Sequence, residues 1–290
     1  MKLTLLLLTL ILTTAQANFD TTFRNNLLIN PDTNQPYTGN IEVLNNDWGK
    51  VEFSKDYLNG RLHGNEKVFY QSGKLKSLGH FNKGVLAGTV ELYYEDGSIQ
   101  ARVNFNNGIK QGRAISYYPD GSKQLEQLFV DGKLDGLHRT WHENGQKSGE
   151  INYVDGKKNG LESQWHENGQ KSGEINYVDD LQEGLETWWH ENGQKESEFN
   201  YVNGKLEGLA TWWHESDQKI GETNFKNGKR HGARILWDKG GNVTFTATYD
   251  NGSSNNQNGL DPQYDDEGSL THYIEYKDGM AVNEKVDKIN

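Results

Sequence analysis

With 290 residues, 33 glycines, 4 prolines and only 33% hydrophobic side chains, the chain lacks the apolar content of one large central core and has instead that of many short strands joined by glycine turns. Its formal charge of −11 opposes binding to nucleic acid and to anionic membrane surfaces, so neither is expected as a partner. The absence of cysteine excludes disulfides, thiolate metal sites, cysteine nucleophiles and a lipidated cysteine.

The first seventeen residues, MKLTLLLLTLILTTAQA, carry one cation at Lys2, an apolar run from Leu3 to Leu12 and the small-residue triplet Ala15-Gln16-Ala17. This order predicts a cleavable secretory signal over 1–17. The apolar run falls short of the ~20 residues that span a bilayer, and no later stretch approaches that length. The mature chain is therefore expected to be exported, periplasmic or extracellular, without a transmembrane segment or lipid anchor. Loss of Lys2 takes its formal charge from −11 to −12. Residues 18–38 and 283–290 stand outside the repeats that follow and read as an N-terminal cap and a C-terminal tail, which arrays need at their terminal strands.

From Gly39 onward the chain repeats itself. Units open at Gly39, Gly64, Gly88, Gly112, Gly136, Gly160, Gly184, Gly208, Gly232 and Gly259, and the array runs over 39–282. Seven consecutive intervals are 24 residues; the first is 25 and the last 27, where GSSNNQN (Gly252 to Asn258) reads as a short flexible insertion. The stretch WHENGQKSGEINYVD occurs letter for letter at 141–155 and at 165–179. Within a unit, one glycine recurs nine residues on, in PDG and ENG, and another at twenty, in VDG and VNG. Such dipeptides between β-rich runs mark tight turns, so each unit is a β-hairpin plus a second turn. Pro119 in the first turn favours a three-residue loop, a type I turn followed by a left-handed glycine. Asp180 and Asp217 each replace one turn glycine, and aspartate tolerates positive φ.

Counting outward from that loop, the residues five and seventeen after each opening glycine should share one face. Trp141, Trp165, Trp189 and Trp213 would then line a core with Tyr153, Tyr177, Tyr201 and Phe225, while Leu137, Leu161 and Leu185 would oppose Ile151, Ile175 and Phe199. Stacked neighbours are needed to bury such a face. Trp188 and Trp212 would fall on the opposite, polar face beside His190 and His214, and Tyr70, Tyr94 and Tyr118 would extend that face into the early repeats.

The unit G-x-x-x-x-W-H-E-N-G-Q-K-x-x-E-x-N-Y-V-x-G-K-x-x, with the entry NPDTNQPYTG (Asn30 to Gly39), resembles the variant MORN repeat of bacteria, including YwqK-type antitoxin proteins. The likeness covers roughly Asn30 to Val282. It implies an all-β fold, an elongated single antiparallel sheet of consecutive hairpins, with scaffolding, protein-binding, lipid-associated or toxin-neutralising roles. It brings no catalytic residue.

The residues best suited to chemistry are the column His142, His166, His190 and His214, each followed by glutamate. Equivalent positions lie two strands apart, ~9.6 Å, too far for two histidines to share a zinc ion bound at ~2 Å. The column reads as a polar face on which the histidines, their glutamates and lysines such as Lys147, Lys171 and Lys195 exchange weak ion pairs. No nucleophile elbow, phosphate loop or dinucleotide fingerprint occurs. Neither cofactor nor metal is expected. The expected function is a non-enzymatic exported scaffold that binds a protein, with an antitoxin or immunity role inside that class. Trp188, Trp212, His142, His166, His190, His214, Tyr70, Tyr94 and Tyr118 form its partner-binding face, since aromatics on rigid strands are good anchors. The rival reading is a module binding envelope glycan through the same tryptophans, and a hydrolase with an unrecognised site is the remote one.

Overall fold

The structure, a computed structural model, describes residues 22–264, 270–277 and 280–285, and among them there is no helix. The predicted signal segment 1–17, the first residues of the cap (18–21) and the end of the tail (286–290) lie outside them. The chain divides into two compact units, residues 1–111 and 112–290.

In the first unit, Thr22–Arg24 pairs with Leu27–Ile29 across a two-residue turn in which Asn25 and Asn26 both have positive φ. This hairpin docks on the next turn: Leu28 N–H donates to Gly60 O at 2.8 Å and Gly60 N–H to Tyr37 O at 2.7 Å. Leu28 is buried there, and a Cβ on Gly60 would come 2.8 Å from the Leu28 carbonyl, so glycine is required. Antiparallel ladders then join Gly39–Leu44, Val51–Leu58, Arg61–Phe69, Leu75–Asn82, Gly88–Tyr93 and Ile99–Asn106 in chain order.

The second unit continues the same pattern. Its central hairpins are Gly136–Trp141 with Lys147–Val154, Gly160–Trp165 with Lys171–Val178, Gly184–Trp189 with Lys195–Val202, and Gly208–Trp213 with Lys219–Lys226. The first turn of a repeat is a three-residue loop. His142 N–H donates to Gln146 O at 2.8 Å, Gly145 N–H donates to His142 O at 3.0 Å, and Gly145 has φ +83. In the second turn Asp155 and Gly156 both have positive φ, the two-residue form whose twist suits flanking strands. The stretch Gly252–Asn258 is not a free loop. Thr248 pairs with Asn255 and Thr246 with Asn258, so its extra residues are absorbed as a bulge beside Ala247.

A second bulge overturns the expected faces. Trp141 pairs with Lys147 but Thr140 pairs with Gly149, which leaves Ser148 as an unpaired extra residue. The equivalent shift recurs at Gln164/Trp165, Trp188/Trp189 and Trp212/Trp213. Because side chains alternate with period two, one extra residue moves every later residue to the other face. Ile151 therefore opposes His138, and Leu137 opposes Asn152. Ile151 and Ile175 are 4% and 6% exposed, whereas Leu137, Leu161 and Leu185, expected to pack against them and Phe199, are 41%, 51% and 54% exposed. The better-buried face carries the residues two and four after each opening glycine with those thirteen, fifteen and seventeen after it. Its most buried cluster is Phe245, Ala247 and Tyr249, against which Leu236 and Tyr276 pack.

Candidate binding surface

The bulge redistributes the aromatic residues. Trp188 and Trp212, expected on the polar face, lie on the better-buried one. Trp188 pairs with Gly173 on one side and Ser197 on the other, and its ring covers Gly173 so closely that a Cβ there would come 2.6 Å from it. Its Nε1–H donates to Glu186 Oε1 at 2.5 Å. Trp212 meets Phe199 edge-on at 5.4 Å, a favoured aromatic arrangement.

The column Trp141, Trp165, Trp189 and Trp213, expected in the core, sits half-buried on the opposite face. There a lysine of the preceding repeat lies over the indole: Lys123 over Trp141 at 5.5 Å, Lys147 over Trp165 at 4.9 Å, Lys195 over Trp213 at 5.6 Å. The same lysines pair with a glutamate three residues on, Lys147 with Glu150 at 3.1 Å and Lys195 with Glu198, and Lys171 does so with Glu174. Arg139 joins Glu150 at 2.6 Å; its hydrogen bond holds the Glu150 carboxyl below its ordinary range. The lysines thus pair within their own strand rather than with the glutamates that follow the histidines.

The histidine column holds neighbouring repeats together. His142 Nε2 lies 2.7 Å from Trp165 O, His166 Nε2 2.8 Å from Trp189 O, and His190 Nε2 3.1 Å from Trp213 O. A carbonyl only accepts, so in each ring Nε2 carries the proton. Tyr70 and Tyr118 occupy the same slot and donate their hydroxyls to Tyr93 O at 2.6 Å and Trp141 O at 2.7 Å. Tyr94 is half-buried in that slot. His214 instead meets Ser216 through Nδ1 at 3.3 Å. A parallel row runs through the turns, where the Asn144, Asn168 and Asn192 amides donate to the Glu167, Glu191 and Glu215 carbonyls at 2.7 to 2.8 Å. Among the described residues no three His, Asp or Glu side chains converge as a metal site.

The central stretch of the buried face is polar. Burial pushes the His138 imidazole down, and the ring lies 3.0 Å from the Gln127 amide. Glu186, 7% exposed, takes hydrogen bonds from Trp188 and from the Gln182 amide, 2.9 Å away. Burial, the Glu186 charge and a hydrogen bond to it push the Tyr201 phenol up to about 12. Every buried side-chain polar atom among the described residues has a partner, as a low-dielectric setting demands.

What sequence reasoning missed is an apolar row on the lysine and tryptophan face. Leu137, Leu161, Leu185 and Leu209 are 41 to 54% exposed at one position of successive repeats, and Val154, Val178 and Val202 are 43 to 49% exposed diagonally across the ladder. The signal was present in the sequence as a leucine directly after four successive opening glycines.

The family model for the MORN repeat variant matches residues 62–83, 86–107, 134–155, 158–179, 182–203 and 206–227. This protein belongs to the MORN repeat variant family. Each matched MORN repeat begins two residues before an opening glycine, so the family frame coincides with the hairpins described above. MORN repeats generally mediate protein or membrane binding. No curated protein matches the chain. Among solved structures, the chain is similar at 14% identity and a TM-score of 0.18 to a TcdB2-TccC3-Cdc42 complex, with 92% of this chain and 18% of that one covered. A Photorhabdus luminescens Tc holotoxin pore matches at 14% identity and a TM-score of 0.17, again with 92% and 18% covered. A porin-like protein from Bacteroides uniformis matches at 9% identity and a TM-score of 0.14, with 77% and 90% covered. The chain thus spans about a fifth of the toxin chains it matches. Among the described residues no helix is long and apolar enough to cross a membrane.

Proposed function

We propose that this MORN-repeat protein is a non-enzymatic, exported scaffold that binds a protein partner through the face bearing Leu137, Leu161, Leu185 and Leu209. The observation that carries the reading is their exposure, 41%, 51%, 54% and 48%, at one position of four successive repeats. At ~4.8 Å per strand the leucines recur every ~9.6 Å, so a partner with apolar side chains at that spacing engages several at once, and linked contacts add avidity. The half-buried Trp141, Trp165 and Trp213 with their lysines, and Glu150, Glu174 and Glu198, border the row and supply the polar rim that specific interfaces have. Export rests on the signal-like segment 1–17, and an antitoxin or immunity role is one form that capture of a single protein would take.

The test is affinity capture by residues 18–290 from an envelope extract of the source organism, run beside a variant with all four leucines changed to serine. One stoichiometric protein, held at least about tenfold more weakly by the variant, is the expected result. Equal capture by both overturns the leucine face, and capture of glycan without protein overturns the scaffold reading.

A further inference from the structure

The first repeat departs from the 24-residue rule, and the departure shapes a recess. Its hairpin loop is one residue longer than the later ones: Asn45 N–H donates to Lys50 O at 2.9 Å and Gly49 N–H to Asn45 O at 2.8 Å, which accounts for the 25-residue interval. Asn45 braces the loop, accepting from Asp47 N–H at 3.0 Å and donating to Glu52 Oε2 at 3.1 Å. The loop carries Trp48, the one tryptophan of eight outside the columns four and five residues after an opening glycine. Trp48 and Phe53 line a recess of about 610 Å³ whose floor includes Gly79. Later repeats have a side chain where Gly79 stands, among them Val103, Ile151, Ile175 and Phe199 but also Gln127, Thr223 and Ala247. At Gly79 a Cβ would meet Leu86, Phe81 and Val90 in ordinary contact, so a larger side chain there would extend into the recess.

One ion pair lies in the recess, which Asp47, Glu52 and Lys76 also line. Lys55 Nζ lies 2.7 Å from Glu66 Oε1, with side-chain exposures of 26% and 13%, and 4.8 Å from the Phe53 centroid; Lys76 Nζ lies 5.5 Å from the Tyr70 centroid. A ligand that set its charge against Lys55 or Glu66 would have to break that pair and leave one partner half-buried and uncompensated. A wholly apolar ligand would cover those two groups without replacing their hydration. A neutral ring with hydroxyls on its edge and C–H groups on its face meets both conditions. Its hydroxyls donate to the free Glu66 oxygen and accept from the lysines, and its apolar face lies against Trp48. The volume falls within the usual range for small-molecule sites, roughly 300 to 1,000 Å³.

We propose that this recess binds one neutral hexopyranose unit of a glycan. The site is independent of the leucine face, and its success or failure leaves the protein-partner reading standing. The experiment follows the indole N–H signals of the isotope-labelled mature chain, with Trp48→Phe assigning the signal of that residue. Methyl glucoside, galactoside and mannoside and N-acetylglucosamine are each added to about 50 mM, enough to reveal millimolar affinity. At least one is expected to shift the Trp48 signal saturably while those of Trp188 and Trp212 stay in place. Gly79→Leu, which fills the floor, should abolish the shift with the other indole signals unmoved, and Glu66→Gln should weaken binding about tenfold. No shift with any sugar, a shift that survives both Gly79→Leu and Glu66→Gln, or a response only to N-acetyl-tyrosinamide or argininamide would overturn the proposal.

Discussion

His166 and the main-chain carbonyl of Trp189, twenty-three residues later, lie 2.8 Å apart and tie one MORN hairpin to the next. The bond bridges two turns that the strand ladders leave unconnected at that end. Replacing His166 with alanine strands a half-buried carbonyl and should cost about 1 kcal/mol. Tyrosine fills the equivalent slot at Tyr70 and Tyr118 with the same kind of bond, so His166→Tyr should recover most of the loss. Urea denaturation of the two variants measures this, and equal destabilisation by both would refute the strut.

Ile175 and Leu161 belong to one hairpin and differ only in face. Ile175 is 6% exposed and Leu161 51%. Ile175→Ala should therefore cost between about 2 and 5 kcal/mol through lost burial and a residual cavity. Leu161→Ala should stay within about 0.5 kcal/mol, as surface changes do. Similar losses at both sites would mean that the two leucine and isoleucine rows share a core after all.

These two residues also show how far the sequence could be read. Glycine and aspartate at fixed offsets specify the turns because positive φ is a local backbone requirement, and the all-β hairpin array follows from them. The face assignment needed one more fact, the bulge at Ser148 and its counterparts Gln124, Ser172, Glu196 and Ile220. A bulged residue has no distinctive φ requirement, so it leaves only a faint trace, a mostly polar position of the repeat that Ile220 breaks. The missed residue moved Trp188 and Trp212 to the buried face and the leucines to the open one. The histidine column reads as polar surface from the sequence, but its carbonyl partners lie a whole repeat away, and periodicity alone does not reveal which backbone atom a side chain reaches.

Tyr201 and Tyr93 are both pushed up to about 12, Tyr201 by burial and then Glu186, Tyr93 by burial and then its hydrogen bond to Glu91. In the unfolded chain both phenols would ionise near 10. A folded-state value above the unfolded one means that their contribution to stability is fully present below about pH 10 and is lost as pH rises from there toward 12. The urea midpoint should fall over that window, and less steeply in a Tyr93→Phe, Tyr201→Phe double variant. The ultraviolet phenolate signal should lose its last-titrating part in the same variant. Superimposable titrations of the two proteins would show that neither phenol is held neutral by its surroundings.

Asp217 and Asp180 both stand where other repeats place a turn glycine, with φ of +65 and +71, yet their replacement should not have the same effect. Asp180 Oδ1 accepts the Lys158 N–H at 2.7 Å, binding its turn to the preceding strand. Asp180→Gly relieves the left-handed backbone but loses that bond, two effects of about 1 kcal/mol that offset each other. Among the described residues Asp217 has no such link to a neighbouring strand, so Asp217→Gly gains the backbone relief alone and should stabilise the chain by up to about 1 kcal/mol. Thermal unfolding of the two single variants separates the cases. A larger gain at Asp180 than at Asp217 would show that its hydrogen bond to Lys158 contributes nothing to holding successive turns together.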